Sequence, residues 1–428
     1  MAPVPAKATR RFQTNDFAAE VRVTEKVRIY GNVFTVLVFA GSFAAAVLSP
    51  QAMAPLVMLY ALGIAVLNWR NFKLAPKSFL PIAAGVSLLA WALASALWSL
   101  DPGLSLERSL RLFLMIALAA LVAIVLPNVR VGKRGALIIA GAIFCASGLI
   151  ILDTVLGLSI GPHLAKGGDP YDRTGPLFVL LLLPTFTIID GRFGRKVSIS
   201  LVFLSVAAVL LLSNKASVLA LILGLGAWIV YMALRRFGPQ LAVAAILVFT
   251  VVQPLGVAAF HSQIGQWSLS SNAESGIRHR AYIWAFSAEK ALERPVFGWG
   301  IGTSRAVPGG DTKATFLRPD GTIAGQGEAI PLHPHNAFLQ VFLEMGLVGM
   351  GLVALTLSVA AYRFARLLQP AGLLGPGIAF IVAALTISSI SFGAWQGWWV
   401  SAQLLVGALL TGLARTHTRA VGKAESVR

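Results

Sequence analysis

Charged residues are scarce in this chain, and their scarcity excludes most classes of soluble protein. Only 12% of its 428 residues are charged, whereas 57% are hydrophobic and the mean hydropathy is +0.78. A helix that crosses a bilayer needs about 20 mostly apolar residues, and lipid offers no water to exposed backbone groups. The sequence therefore predicts an all-α, polytopic transmembrane helical bundle of about twelve spans. The apolar runs cover residues 30–48, 52–68, 79–98, 109–126, 135–156, 175–190, 197–213, 216–234, 240–260, 337–360, 373–391 and 396–414.

Cysteine and internal repeats are also missing. The single cysteine, Cys145, lies inside a predicted span, which excludes an intrachain disulfide. No repeat relates two halves of the chain, as it does in many transporters. A polysaccharide or lipid transporter stays a distant alternative, with Asp153 and Lys215 as its candidate charges in or near spans. A scaffold in an envelope assembly is a further alternative.

Acidic residues are rare on one side of the predicted bundle. With the N-terminus in the cytoplasm, the inward segments hold 23 of the 35 lysines and arginines but 4 of the 17 acidic residues. This excess matches the positive-inside bias. The same excess accounts for the pI near 10.8, so no nucleic-acid partner is needed to explain this value. Anionic membrane lipids are the expected partner of the basic segments.

The predicted organisation is based on these runs and charges. A loosely ordered cytoplasmic arm (1–29) precedes spans one to nine (30–260), and the first span is expected to be retained rather than cleaved as a signal peptide. An external loop (261–336) leads to the last three spans (337–414) and a cytoplasmic tail (415–428). Both termini are therefore expected in the cytoplasm.

The most informative polar segment is His333-Pro334-His335-Asn336, which joins the long loop to a hydrophobic helix. Imidazole titrates near neutrality and can accept a proton in chemistry, so this position suits a reactive group. Helix capping or packing is the plainer interpretation of the two histidines. A zinc site is a third, although no HExxH motif or nearby cysteine occurs. Its further ligands would come from Asp311, Asp320, Glu328 or Glu344.

Basic residues mark three shorter external segments. Arg108 and Arg111 lie one turn apart on a helix that Ser105 can cap. Arg173 abuts the entry to a span, and Lys215 interrupts a long apolar stretch. Each has a plain alternative: snorkelling arginines, a solvated loop, and an exposed lysine in a tight hairpin, respectively.

Within the long loop, residues 277–293 are predicted to form an amphipathic helix that carries Arg280. Arg278 is expected on its solvated face. The glycine string 297–302 comes next, and it is not a nucleotide fingerprint because no strand–turn–helix unit surrounds it. We expect it to form a tight turn packed on the bilayer. The predicted apolar face of the helix comprises Ile277, Ala281, Trp284 and Ala288.

These residue types favour one kind of chemistry. Guanidinium groups match the oxygens of a diphosphate in paired geometry, and lysine supplies a point charge. Because nucleotides are scarce outside the cell, an external diphosphate beside the membrane would be attached to a lipid. A histidine could take a proton from an attacking hydroxyl while fixed cations, instead of a metal ion, neutralise the leaving diphosphate.

Three signatures of this chain resemble the O-antigen ligase family, which also contains O-antigen and exopolysaccharide polymerases. The segment His333-Pro-His335-Asn336…Gln340…Glu344-Met-Gly346 resembles its HxHN…Q…ExG motif. Arg280…Trp284…Pro295-Val-Phe-Gly298-Trp-Gly300 resembles its loop helix, and Trp98-Ser99…Asp101-Pro102 resembles its WSxDP turn. The hydropathy profile agrees over nearly the whole chain.

The resemblance implies a GT-C-like glycosyltransferase of the bacterial inner membrane, with a periplasmic active site and no metal or other cofactor. Such an enzyme transfers a glycan from undecaprenyl diphosphate to a hydroxyl of an acceptor glycan, with inversion. The acceptor is lipid A–core for a ligase and another lipid-linked repeat unit for a polymerase.

The resemblance also implies roles for individual residues. His335 would be the base or the acceptor-activating residue, and Arg280, the second expected catalytic residue, would bind the diphosphate. The family commonly has an arginine where this chain has Lys215, which keeps the charge but loses bidentate geometry. The expected diphosphate-binding residues are Arg280, Lys215, Arg173, Arg108 and Arg111, and the expected supporting residues are His333, Asn336 and Glu344.

Overall fold

The computed structural model describes residues 6–68, 80–125, 129–158, 171–212, 214–318 and 320–425. Helices account for most of these ranges, and one antiparallel hairpin of two strands, β1 (Lys313–Leu317) and β2 (Ile323–Glu328), joins them. The helices are α1 (Ala6–Leu48), α2 (Met53–Asn68), α3 (Leu80–Ala94), α4 (Pro102–Val125), α5 (Lys133–Leu156), α6 (Thr174–Phe193), α7 (Arg195–Leu211), α8 (Lys215–Ala233), α9 (Gly238–Leu247), α10 (Gln253–Ala259), α11 (His261–Ser270), α12 (Ser275–Glu293), α13 (Ala337–Leu368), α14 (Leu374–Ile390) and α15 (Gly397–Glu425).

Every predicted apolar run falls on helical structure except at some run ends. Residues 79, 126 and 213 lie outside the described ranges, and the run-end residues that are described but not helical are Trp98, Leu212, Leu234, Phe260, Leu373, Ser391 and Gln396. Nine helical segments of the described chain are long and apolar enough to cross a membrane. The three other runs fall on α4, which carries charged residues in its first half, and on α7 and α14, each 17 residues long. The prediction of an all-α polytopic bundle is confirmed.

The two terminal segments differ from the expected loose arm and tail. Helix α1 begins at Ala6 and runs through the charged arm into the first apolar run, and α15 continues to Glu425. Neither stretch contains an internal proline, so nothing interrupts the hydrogen-bond ladder where the composition changes from polar to apolar. Residues 1–5 and 426–428 lie outside the described ranges.

The segments that connect the helices gather at two ends of the bundle. At one end, Val129 N–H donates to the carbonyl of Gly412 at 3.1 Å, and Arg192 Nε donates to the carbonyl of Val131 at 2.6 Å. These segments are the basic ones that the sequence assigns to one side. The opposite end, termed the polar-loop end, holds the segments around residues 98–105, 171–174, 214–217, 261–336 and 391–396.

The long loop is more structured than the sequence predicts. It contains α11, the expected helix α12, and the β1–β2 hairpin, whose register shifts between Phe316 and Leu317. In α12, Ala281 and Ala288 are buried as predicted. Ile277 is 44% exposed, contrary to the prediction, because the packed face of the first turn is occupied by Arg278 instead.

Helix α13 breaks at Gly346, where φ is +64° and ψ is −167°. Trp299 and Gly300 donate their backbone N–H groups to the carbonyls of Leu343 and Glu344, at 3.1 and 2.8 Å. The glycine string therefore packs on the broken helix, and its N–H groups satisfy carbonyls of the turn before the break.

Candidate active site

The long loop ends at Asn336, which caps helix α13. Its Oδ1 accepts the N–H groups of Phe338 and Leu339 at 3.2 and 3.0 Å. A capping asparagine satisfies donors that the first helical turn leaves free. Asn336 is fully buried, so it anchors the start of α13 directly after His335. This capping bond gives the supporting role predicted for Asn336 a structural basis.

His335 has a strained backbone. Its φ is +53°, and among the described residues it is the only non-glycine with a positive φ. This conformation costs about 1–2 kcal/mol for an L-residue. The Nδ1 atom of His333 accepts the N–H of His335 at 3.0 Å and holds the turn. The two imidazole rings lie 4.6 Å apart between centroids.

The hydrogen bonds assign a tautomer to each histidine. His335 Nδ1 lies 3.0 Å from the carbonyl oxygen of Ser391, which can only accept, so Nδ1 carries the proton. His333 Nδ1 is an acceptor, so its proton is on Nε2, which lies 2.9 Å from the Gln396 amide nitrogen. Exchanging the amide nitrogen and oxygen of Gln396 gives that proton an acceptor. Nε2 of His335 forms no hydrogen bond within the described chain and presents a free lone pair.

Both imidazoles are held neutral. Burial lowers the pKa of His333 to about 3, and the adjacent His335 contributes to this decrease. Burial is also the largest cause that lowers the pKa of His335, and the bond to the Ser391 carbonyl opposes it. Arg280 and His279 lower the pKa of His335 further. His335 is therefore an unprotonated base at neutral pH.

Charged and polar side chains form a connected series near His335. Asp172 raises the pKa of His335, and its carbonyl and carboxylate oxygens accept the Asn214 amide at 2.6 and 2.9 Å. Lys215, the next residue, forms an ion pair with Glu274. The pKa of the Glu274 carboxyl is lowered mainly by Lys215 and to a smaller extent by Arg280. We term Asp172, Asn214, Lys215, Glu274 and Arg280 the charge ring.

Arg280 and Lys215 differ in how they are engaged. Arg280 is exposed and forms no ion pair or hydrogen bond with any other described residue. Lys215 is 70% exposed, so it sits in solvent rather than buried in a span. The interpretation of Lys215 as an exposed lysine is therefore correct. Its ion pair with Glu274, which lies within the electrostatic reach of Arg280, nevertheless connects Lys215 to the site.

The remaining predicted cations are placed differently. Arg173 is exposed, with its guanidinium carbon 5.9 Å from the Trp398 ring centroid. Arg111 pairs with Glu107 one turn away on α4. Arg108 packs on Gly302 of the glycine string. Arg280 lies within the electrostatic reach of His335, and the ion pair with Glu274 links Lys215 to Arg280. Arg108 and Arg111 lie beside the glycine string, on a neighbouring surface.

Glu344 is a fully buried junction of several elements. Its Oε1 accepts Ser304 Oγ at 2.5 Å and Gln340 Nε2 at 2.9 Å. Its Oε2 accepts the N–H of Gly302 and the indole N–H of Trp395, both at 2.7 Å. Four donors saturate the carboxylate, so Glu344 supports the glycine string and the α14–α15 connection.

The WSxDP turn docks on the same glycine string. Leu104 N–H donates to Asp101 Oδ1 at 2.9 Å, so Asp101 caps α4. The prediction that Ser105 caps this helix is wrong, because its hydroxyl donates to the carbonyl of Ile301 at 2.7 Å. Gly300 has φ +102°, and a Cβ there would lie 2.5 Å from Ser99 Cβ. The glycines therefore permit a close approach between the turn and α13, and the three signatures meet in space.

Arg278 is not on a solvated face, contrary to the sequence prediction. It is 1% exposed, and its guanidinium donates to the carbonyls of Ser268, Leu269 and Leu317 at 2.6–2.8 Å. Two of these carbonyls belong to the last turn of α11, which leaves its C-terminal carbonyls without helical partners. Arg278 is therefore structural, although it lies two residues from Arg280.

Several residues of the site were not predicted from the sequence. They are Asp172, Glu274, His279, Ser391 and Gln396. Asp172 is adjacent to the predicted cation Arg173, and Glu274 lies close to the start of the predicted helix, so a local signal existed for both. Ser391 acts through its backbone carbonyl, which no sequence pattern can indicate.

The zinc interpretation gains no support from the geometry. Within the described ranges, no group of three or more histidine, cysteine, aspartate or glutamate side chains could hold a metal ion. Asp320 bonds Thr322 inside the hairpin turn, and Glu328 pairs with Arg305 at 3.0 Å.

Residues 200–354 match the family model described as O-antigen ligase. Over these residues the chain is similar to that family. The family resemblance drawn from the three signatures is thereby confirmed. The matched residues contain Lys215, Glu274, Arg280, His333, His335 and Glu344, whereas Asp172 and Ser391 lie outside the matched segment.

Curated relatives of the chain bear names consistent with that family model. A Rickettsia conorii protein named "Putative polysaccharide ligase" is 27% identical over 225 residues, which are 52% of this chain and 53% of that protein. The Rickettsia felis protein of that name is 24% identical over 352 residues, 79% of this chain and 82% of its own. The Rickettsia bellii protein is 32% identical over 143 residues, 32% of each chain. The chain spans about half the length of the Rickettsia conorii relative.

Proposed function

We propose that this protein is an O-antigen ligase-like glycosyltransferase that passes a glycan from undecaprenyl diphosphate to a hydroxyl of an acceptor glycan. The observation that carries the proposal is the free Nε2 lone pair of His335, which lies within the electrostatic reach of Arg280; neither group has a bonding partner among the described residues. A proton acceptor and an accessible cation are the two groups that such a transfer requires.

The proposed step conserves atoms and electrons. The acceptor hydroxyl loses its proton to His335 Nε2, and its oxygen attacks the anomeric carbon of the donor glycan. The bond from that carbon to the diphosphate oxygen breaks, and the diphosphate leaves with the electron pair. Attack opposite the leaving group inverts the anomeric centre. The Ser391 carbonyl stabilises the imidazolium that forms on His335, since it accepts the Nδ1 proton.

The charge ring supplies the leaving-group side of the step. Arg280 can contact two diphosphate oxygens with its planar fork, and Lys215 adds a mobile point charge. The exposed Arg173 is a further diphosphate contact. Arg108 and Arg111 are expected to contribute less because they lie on the surface beside the glycine string. The site would operate without a metal ion, so turnover should persist in the presence of a chelator.

The polar-loop end would face the periplasm of a bacterial inner membrane, with both termini in the cytoplasm. The segregation of basic segments to the opposite end supports this orientation. Topology mapping by residue-specific labelling from the two sides of the membrane tests it.

The acceptor distinguishes a ligase from a repeat-unit polymerase. Purified protein is incubated with undecaprenyl diphosphate-linked repeat units, with and without lipid A–core. Product that forms only with lipid A–core identifies a ligase, which is the function proposed; a ladder of products without it identifies an O-antigen or exopolysaccharide polymerase. No transfer in either arm contradicts the proposed chemistry.

Two variants complete this experiment. His335→Ala should lower transfer by about 10²–10⁴-fold, the contribution typical of a general base. His261→Ala is the matched control, because His261 also bonds a backbone carbonyl, that of Ala258 at 2.8 Å, but belongs to α11 outside the site. Near-normal transfer by a correctly inserted His335→Ala protein would remove His335 from the mechanism.

A further inference from the structure

An acidic side chain occupies part of the cation site. Glu274 precedes α12 and pairs with Lys215 at the first turn of α8, although the two residues are 59 positions apart. The carboxylate also lies within the electrostatic reach of Arg280. The two cations assigned to the donor diphosphate therefore share one anionic neighbour.

This ion pair is open to solvent. The Lys215 and Glu274 side chains are 70% and 60% exposed, so a ligand can reach both. Exposed ion pairs contribute little to stability. The ends of the two helices are held by other bonds: the Asn214 side chain accepts Ser217 N–H at 3.1 Å, and the Arg278 guanidinium anchors α12. Separating the pair should leave both helices intact.

We propose that Glu274 is a built-in counter-ion that competes with the donor diphosphate for Lys215 and Arg280, and so sets the affinity for the lipid-linked donor. The inference rests on the proposed function, because it takes those two cations as diphosphate-binding residues. A diphosphate diester carries two negative charges and several acceptor oxygens, so it can displace a single carboxylate from both cations. A neutral or singly charged headgroup would compete less well, and Glu274 would then act as a selectivity element against ordinary phospholipids.

The chain offers a matched control for Glu274. Glu293 lies at the other end of the same helix α12, is 41% exposed, and pairs with Lys290 at 2.6 Å. Glu274→Gln and Glu293→Gln remove the same charge from the two ends of one helix. A difference between the variants therefore reports position rather than net charge.

The test measures KM for the undecaprenyl diphosphate-linked donor in five variants: Glu274→Gln, Glu293→Gln, Lys215→Ala, Arg280→Ala and the Glu274→Gln/Lys215→Ala pair. Glu274→Gln should lower KM by about two- to fivefold, the fold-change that matches the worth of an exposed ion pair. Glu293→Gln should leave KM unchanged. Lys215→Ala should raise KM, and adding Glu274→Gln to it should produce a smaller decrease than in the wild-type background.

Three results would overturn the inference. An unchanged or raised KM in Glu274→Gln, while Lys215→Ala raises KM, removes the competition and leaves the proposed function standing. An equal decrease in the presence and absence of Lys215 makes Glu274 a general source of repulsion. If Lys215→Ala and Arg280→Ala both leave KM unchanged, the diphosphate site itself is wrong and the inference fails with it. Direct binding of inorganic pyrophosphate to the same five variants provides a readout independent of turnover.

Discussion

The Nδ1 atom of His333 accepts the backbone N–H of His335 at 3.0 Å, across the intervening Pro334. This bond closes the turn in which His335 adopts its positive φ. His333 is therefore a positioning residue, since it directs the imidazole of His335 through the backbone rather than by contact with a substrate.

His333→Asn should preserve more transfer than His333→Ala. An asparagine Oδ1 can accept the N–H two residues ahead, as in an Asx-turn, whereas alanine has no acceptor. We expect His333→Ala to lower kcat by about tenfold. This decrease corresponds to the free energy of roughly one hydrogen bond, the one that positions His335. Measured kcat values for both variants check this. Equal losses in the two variants would show that the imidazole ring of His333, rather than its acceptor atom, matters.

Transfer should tolerate acid better than a free imidazole would. Burial lowers the pKa of His335 below its usual value of 6.5, so the base stays unprotonated as the pH falls through 6.5. A profile of kcat from about pH 4 to about pH 8 should place the acid limb below 6.5. An acid limb at or above 6.5 would contradict the lowered pKa.

The same burial makes the folded state sensitive to acid. The pKa of His333 is about 3 in the fold and near 6.5 in an unfolded chain. Between these values the unfolded state binds more protons, so stability falls as the pH drops from 6.5 toward 3. Thermal unfolding in detergent should show this decrease, and it should be smaller in His333→Asn, which removes the titrating group.

Arg278 and Arg280 should respond oppositely to the same substitution. Arg280→Ala should raise KM for the lipid-linked donor and leave thermal stability nearly unchanged, because Arg280 is exposed and unpaired among the described residues. Arg278→Ala should lower stability by on the order of 3 kcal/mol, because three carbonyls lose a buried, charged donor. Measuring both quantities for both variants checks the assignment; a stability loss confined to Arg280→Ala would reverse it.

Gly346→Ala should disrupt the break in α13. A Cβ at Gly346 would lie 2.2 Å from the Val296 carbonyl oxygen, and φ is +64°. The backbone conformation alone costs about 1–2 kcal/mol for alanine. The glycine string should therefore no longer pack on the break in α13, and transfer should fall. Gly351→Ala, in the same helix with open space around it, is the control and should be neutral or slightly stabilising. Full transfer by Gly346→Ala would show that the break is not required.

The sequence predicts much of the candidate site, as His335, Arg280 and Lys215 illustrate. The histidine pair stands at a helix start and Lys215 interrupts an apolar stretch, whereas the role of Arg280 follows from the family resemblance. Polar residues at such positions are costly for connectors, so they indicate chemistry. Arg108 and Arg111 interrupt the pattern in the same way, yet they lie beside the glycine string. Sequence alone does not separate the two groups.

Arg278 and Arg280 show what the local sequence pattern cannot predict. Helical periodicity places them on different faces of α12, but it does not say which face is covered. Coverage is decided by α11 and β1, whose carbonyls converge on Arg278. Those contacts are set by how the loop folds back on itself.

The amino-acid sequence is sufficient to specify the all-α membrane architecture, the segregation of basic segments and the likeness to the O-antigen ligase family. Apolar runs of spanning length favour helices because lipid leaves backbone groups no other partners, and each signature is a short segment of the chain. Tertiary contacts decide the tautomer of His335, the composition of the charge ring and the break at Gly346. These depend on atoms brought from distant segments, such as the Ser391 carbonyl and the Glu274 carboxylate. A long-range contact leaves no local trace in the residues that make it.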